Sequence, residues 1–410
     1  MTATATATTT AAPPRDLAPE VPRLRAETPG CAEVAHFNHA GASLMPRTVL
    51  DAVTRHLERE ARTGGYEAEA EAADRLAAVY ASLARLLNAD PDEIAVVENA
   101  TRAWDMAFYA LPLGPGDRIL TSVSEYGSNA LAFLQLAARG VAVEPVPNDE
   151  HGQLSLDALA GMLDGRVKLV AVSHMPTNGG LLQPAAAIGR LAREAGATFL
   201  LDATQTVGQL PLDVDEIGCD LLAGTSRKFL RGPRGVGFLY VRRPLIERLT
   251  PPFLDIHAAE WTGADSFVIR PDARRFENWE SNVAAKLGMG AAVDYALALG
   301  LDAVWERVRD QAARLRSDLA GVRGVEVRDL GAVKGGIVTF TVAGREAAAV
   351  QAALRAEGIN VSVSPRTSTR WDMDARGLDA LVRASVHYLT TDEERARLVG
   401  AMARVASASA

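Results

Sequence analysis

At 410 residues the chain is too long for one ordinary hydrophobic core, so two domains are the default expectation. Hydrophobic residues make up 48% and charged residues 23%, a globular balance. The formal charge of −8 argues against a general nucleic-acid binder, which needs a basic stripe to displace counterions. Cys31 and Cys219 are too few and too far apart for a disulfide framework or a metal cluster. No apolar run reaches the ~18 residues that span a bilayer, so a cytoplasmic protein without a membrane, metal or nucleic-acid partner is expected.

The N-terminal stretch MTATATATTTAAPP lacks the basic start and apolar run of a secretory signal. Its Thr/Ala/Pro bias reads as a disordered tail over residues 1–30. From Phe37 to Tyr240, apolar runs of strand length alternate with helical patterns such as Thr101–Leu111 and Ala185–Ala195. The predicted strands are Ile94–Val97, Arg118–Val123, Val141–Val146, Lys168–Ser173, Thr198–Asp202, Asp220–Gly224 and Val236–Val241. Nearly continuous Val/Ile/Leu/Ala runs suit strands covered on both faces, and the alternation implies a largely parallel sheet between helices. Ligands in such sheets bind beyond the carboxyl ends of the strands.

After Pro251 the pattern changes. Ser281–Leu299 and Leu301–Leu319 read as long helices separated near Gly300. Strands are then expected at Val325–Val327, Ile337–Val342, Ile359–Val363 and Leu381–Tyr388, with helices at Glu346–Glu357 and from Thr391. This predicts a large α/β domain over 31–280 and a smaller one over 281–410.

The most informative segment is LLAGTSRKFLRGPRGVGFLYV, in which an apolar strand gives way to Thr225-Ser226-Arg227-Lys228, a Gly/Pro-rich turn and a second strand. A lysine held between buried strands is partly desolvated, which lowers its pKa and favours the nucleophilic amine that Schiff-base chemistry requires. Thr225 and Arg227 beside it are suited to a phosphate. A solvated basic turn is the plainer alternative. Upstream, the strand Thr198–Asp202 ends on a carboxylate able to pair with a protonated pyridine nitrogen, and Gln205 follows within reach of a ring oxygen. Asp202 could equally cap a helix. Asn99-Ala100-Thr101, between a strand and a helix, offers backbone N–H groups and a hydroxyl as a phosphate cradle, or simply a helix cap. Tyr126 is placed for a flat contact with a ring, or is a half-buried tyrosine with a wet hydroxyl.

Taken together, the order strand, DATQ, strand, TSRK and GPRGVG, with RASVHYLTTDEE near the end, resembles the class V group of fold-type-I pyridoxal 5′-phosphate (PLP) enzymes. That group contains cysteine desulfurases, kynureninases and isopenicillin N epimerase-like proteins. The resemblance runs from about His39 to Leu398 and implies the fold-type-I architecture and a PLP cofactor. It implies Lys228 as the Schiff-base lysine, Asp202 as the pyridine partner and Gln205 at the ring oxygen. It also implies Ala100, Thr101, Thr225 and Arg227 at the phosphate and Tyr126 stacked on the ring. Arg383 matches the arginine that grips a substrate α-carboxylate, for which a forked guanidinium is chemically suited. Thr177 stands where many relatives have Asn near the ring oxygen.

Departures narrow the reaction. The loop Ser364–Arg370, where desulfurases carry a persulfide-forming cysteine, has none. Asn278-Trp279-Glu280-Ser281 replaces the Gly-Thr pair that reaches a neighbour's phosphate in dimeric relatives. GGY at Gly64–Tyr66, EYGSN at Glu125–Asn129 and FENWESNVAAKLG at Phe276–Gly288 look similar to hercynylcysteine sulfoxide lyases and to lincosamide-pathway PLP enzymes. The expectation is a carbon–sulfur β-lyase acting on an S-substituted cysteine, with Arg366, Arg370, Trp279 and Tyr66 as contacts to the distal part of the substrate. Decarboxylating oxidative deamination, transamination and epimerisation are the alternatives. A homodimer with shared sites is expected from the resemblance.

Overall fold

The computed structural model describes residues 15–407. The chain enters through helix Val21–Ala26, and β1 (Ala35–His36) pairs in parallel with Ile359–Asn360. Leu17 and Leu24 are fully buried against Leu299, Val304, Val308 and Tyr388. The tail expected through residue 30 is therefore ordered from residue 15 onward, because these two leucines have an apolar surface to cover; residues 1–14 lie outside the described residues. Leu24→Ala should destabilise the protein by about 2–4 kcal/mol, seen as a lower thermal midpoint, if this docking is part of the fold.

The central sheet holds seven strands. They are β2 (Ile94–Val97), β3 (Arg118–Ser122), β4 (Ala142–Val146), β5 (Val167–Ser173), β6 (Thr198–Asp202), β7 (Leu221–Thr225) and β8 (Gly237–Val241). Their spatial order is β2-β8-β7-β6-β5-β3-β4, antiparallel about β8 and parallel elsewhere. Successive residues serve opposite faces. Ile94 and Val96, with Val170 and Val172, enter one core, while Ala95 and Val97, with Leu169 and Ala171, enter the other. Helices cover both faces, so the predicted strands could be continuously apolar.

Beyond β8 comes a hairpin that periodicity did not reveal, β9 (Ala259–Gly263) and β10 (Ser266–Ile269). Helices Val283–Leu299 and Leu301–Ala320 follow, separated at Gly300, whose φ of 84° suits only glycine comfortably. The domain boundary drawn at 281 needs correction. Ala285, Met289, Val293 and Ala296 of the first helix share a core with Val49, Val79 and Leu83, so that helix belongs to the large domain. A four-stranded antiparallel sheet forms from β11 (Val325–Val327), β12 (Ile337–Val342), β14 (Ser362–Pro365) and β15 (Ala380–Ser385), in the order β11-β12-β15-β14. The segment expected as one strand at Ile359–Val363 is divided. Its first half, β13 (Ile359–Asn360), pairs with β1, and its second half turns to β15. The N-terminal segment thus completes the small domain, where Ala35 and Phe37 join its core.

One buried side chain ties these parts together. Arg231 adopts a left-handed φ of 63° in the turn after Lys228. Its Nη2 donates to Thr28 Oγ1 (2.6 Å), its Nε to the Leu44 carbonyl (2.9 Å) and its Nη1 to the Tyr388 hydroxyl.

Candidate active site

At the carboxyl edge of the large sheet β5 ends on Ser173, β6 on Asp202 and β7 on Thr225, polar side chains that face one cavity. Lys228 follows three residues after Thr225. Tyr126 precedes helix Gly127–Ala137, and Asn99 caps helix Ala100–Ala110 by accepting from Arg102 N at 2.9 Å. A cavity of about 680 Å³, including its open mouth, sits among them. Ala100, Thr101, Tyr126 and Thr177 line it, as do Asp202, Gln205, Thr225, Arg227 and Lys228.

Lys228 is buried. Burial, and after it the charges of Arg227 and Arg383, hold its amine well below the usual lysine range, while Asp202 opposes them. An amine so placed is available as a nucleophile or base near neutral pH. Asp202 accepts from Thr204 N (2.9 Å) through Oδ1 and from Asn129 Nδ2 (3.0 Å) through Oδ2. Arg383, on β15, lies behind Thr177: its Nη1 donates to the Thr177 hydroxyl and carbonyl, and its Nε to Ser362 Oγ (3.0 Å). Burial, and secondarily Arg227, lower the Arg383 pKa to about 10, which leaves it protonated at neutral pH. Among the described residues no carboxylate pairs with it. Thr177 therefore both lines the cavity and orients the arginine.

The donor set fits PLP. Gly237 is the reason helix Ala100–Ala110 can start directly over the sheet, since a Cβ there would stand 2.9 Å from the Ala100 nitrogen. The first N–H groups of that helix, the hydroxyls of Thr101 and Thr225 and the Arg227 guanidinium would hold a phosphate. Thr204 Oγ1 and Gln205 Oε1 are buried without a hydrogen-bond partner at the same cavity, polar groups that a ring with oxygen substituents would satisfy. Asp202 would face the pyridine nitrogen, and Tyr126 would cover the ring.

Other expected contacts are not brought here. Arg366, half-buried on a 3₁₀ turn, forms ion pairs with Asp379 and Asp374, and Arg370, exposed at the start of helix Arg370–Ala375, pairs with Asp374 at 3.3 Å. Carboxylates close in sequence claim these guanidinium groups. Tyr66 and Trp279 line a different cavity with Glu60, Glu69 and Glu98, and are 71% and 56% exposed. Sequence reasoning in turn missed Asn129, Ser173 and Thr204 as lining residues. A signal was present for the first, because Glu125 and Asn129 stand four apart at a helix start immediately after a strand.

The comparisons with known proteins agree with this geometry. Residues 35–398 match the family model described as aminotransferase class-V. A probable cysteine desulfurase of Xylella fastidiosa (strain Temecula1 / ATCC 700964) is 31% identical, over 97% of this chain and 98% of its own. The apo structure of a cysteine desulfurase from Thermococcus onnurineus NA1 superposes with a TM-score of 0.88 at 25% identity, covering 95% of this chain and 98% of that one. The cystine C–S lyase C-DES, solved with its product cysteine persulfide, gives 0.82 at 25% identity, covering 92% and 99%. A C-DES mutant was also solved with glycine covalently linked to its PLP cofactor. With the fold, the cavity and the lysine–aspartate pair in agreement, the chain belongs to the class-V aminotransferase family, a fold-type-I group, and its cofactor is pyridoxal 5′-phosphate.

Proposed function

We propose that this protein is a carbon–sulfur β-lyase that cleaves an S-substituted cysteine, or its sulfoxide, to a sulfur product, pyruvate and ammonia. The observation that carries the reading concerns the missing sulfur acceptor. The loop following β14 packs on the start of helix Gly127–Ala137, where the Thr367 carbonyl stands 2.4 Å from the position a Cβ on Gly127 would take. That places it next to Tyr126, and it contains no cysteine. Cys219 is buried in the core with its thiol pushed up to about 12 by burial, and Cys31 packs in the N-terminal segment. Neither can present a thiolate to a substrate in the cavity. Transfer of sulfur to the protein is therefore disfavoured, while release of a sulfur product needs only the groups present.

When bound, PLP supplies an electron sink for charge developing at the substrate Cα. Arg383 holds the α-carboxylate as a bidentate partner and so fixes which Cα bond faces the ring. Lys228 Nζ takes the Cα proton. The electron pair left behind expels the substituent from Cβ as the C–S bond breaks, and the amino-acid remainder hydrolyses to pyruvate and ammonia. Incubation of the PLP-loaded protein with cysteine S-conjugates and their sulfoxides should release pyruvate from at least one; carbon dioxide, an inverted amino acid or an amino-group transfer product without pyruvate would replace this reading.

The proposal extends to a cytoplasmic homodimer. Trp261 and Phe267 are cross-strand partners on the hairpin, 75% and 57% exposed, so two large apolar side chains stand together in the open. A patch of this kind on a protein of ordinary composition marks an interaction surface. Light scattering should give twice the chain mass for the wild type and a shift toward monomer for Trp261→Asp; a wild-type monomer would refute it.

A further inference from the structure

Behind Asp202 lies a second carboxyl group for which the proposed chemistry has no use. Glu125 is fully buried, and five donors converge on it. Its Oε1 accepts from Tyr126 N (2.8 Å), Asn129 Nδ2 (2.9 Å) and Ser173 Oγ. Its Oε2 accepts from Ser173 N (2.9 Å) and Thr121 Oγ1 (3.1 Å). The same Asn129 nitrogen also donates to Asp202 Oδ2 at 3.0 Å. An amide nitrogen has two hydrogens, so Asn129 spends one on each carboxyl group.

We infer that Glu125 is a positioning residue that acts through Asn129 to hold Asp202 as an aligned carboxylate facing the cofactor ring. The argument is one of valence. Tyr126 N–H and Ser173 N–H can only donate, and between them they address both oxygens of Glu125. Only a group that accepts on both oxygens satisfies them. Glutamine at 125 must turn its NH₂ toward at least one of these N–H groups. With Glu125 in place the Asn129 amide cannot flip, because its carbonyl would then face two carboxyl oxygens. Its N–H is thereby fixed on Asp202 Oδ2, which aligns that carboxyl group.

Two carboxyl groups so close need not both carry charge. Burial, with a further contribution from the negative charge of Asp202, pushes the Glu125 carboxyl up. A protonated Glu125 can donate to Ser173 Oγ or Thr121 Oγ1, since either hydroxyl can accept.

The inference rests on the assignment of PLP to this cavity, and the test separates the two. The full-length protein is loaded with PLP labelled with ¹⁵N in the ring, and the ring-nitrogen resonance reports protonation directly. In Glu125→Gln and in Asn129→Leu the resonance should move toward the unprotonated position. Cofactor affinity should fall about tenfold, the scale of one hydrogen bond to a charged group, with circular dichroism unchanged. A wild-type resonance in either folded variant overturns the inference. Should Glu125→Gln fail to fold, Asn129→Leu decides alone. Asp202→Asn is the control: if it leaves the resonance in place, the ring nitrogen does not face Asp202, and the cofactor placement falls together with the inference.

Discussion

Lys228→Ala should fold and bind PLP without forming a covalent link, losing the absorbance of the lysine-linked cofactor. Pyruvate formation should fall by about 10⁴-fold or more, because one amine serves both as the covalent anchor and as the base at Cα. Retention of the band, or of activity within tenfold, would show that another amine carries the chemistry. Stability should change in the opposite direction. The folded chain disfavours the charged amine through burial, so between the lowered folded pKa and the unfolded value of 10.5 the unfolded chain binds the extra proton. Stability of the apoprotein therefore rises with pH across that window. Lys228→Met should abolish that slope and raise the apoprotein's thermal midpoint at neutral pH.

Arg383→Ala should lower kcat/KM by about 10²–10³-fold, the cost of removing one partner from a buried, hydrogen-bonded charge pair. Arg383→Lys should recover little of it, since an ammonium cannot reproduce the planar fork. This guanidinium donates to neutral oxygens of Thr177 and Ser362, with no carboxylate partner among the described residues. A buried charge without a counter-ion is unfavourable until a carboxylate arrives. Arg383→Met should accordingly stabilise the empty protein while disabling it. Steady-state kinetics and a thermal melt on the same preparation check both statements, and a melt that falls would mean the arginine is structural.

Much of this site was legible in the sequence because its chemistry follows strand ends. A strand with both faces covered must be continuously apolar, so the first polar residue after it, as at Asp202 or Thr225, stands out. The spacing of Glu125 and Asn129 offered a signal, but the bond from Asn129 to Asp202 was not legible. In the sheet β3 and β6 are separated by β5, so this contact reaches across a strand, passing the Ser173 end. Nothing local in EYGSN encodes that reach. The hairpin at 259–269 escaped for a different reason: its side chains face outward, so no core imposes an alternating pattern. Residues 15–30 looked like a tail because Leu17, Val21 and Leu24 are scattered apolar positions in a polar stretch, and the partners of the two leucines lie hundreds of residues away. Arg366 was assigned by its closeness to the expected cysteine loop, and only geometry reveals that Asp379 has claimed it.

The anchoring of Arg231 carries a consequence for timing during synthesis. The turn bearing the reactive amine is fastened to Thr28, which is made 203 residues before Arg231, and to Tyr388, which is made 157 residues after it. Until that tyrosine clears the exit tunnel the turn lacks one of its moorings, and Arg383 is still missing its strand. PLP thus meets a complete receptacle only after both Arg383 and Tyr388 have emerged to join the turn that carries Lys228.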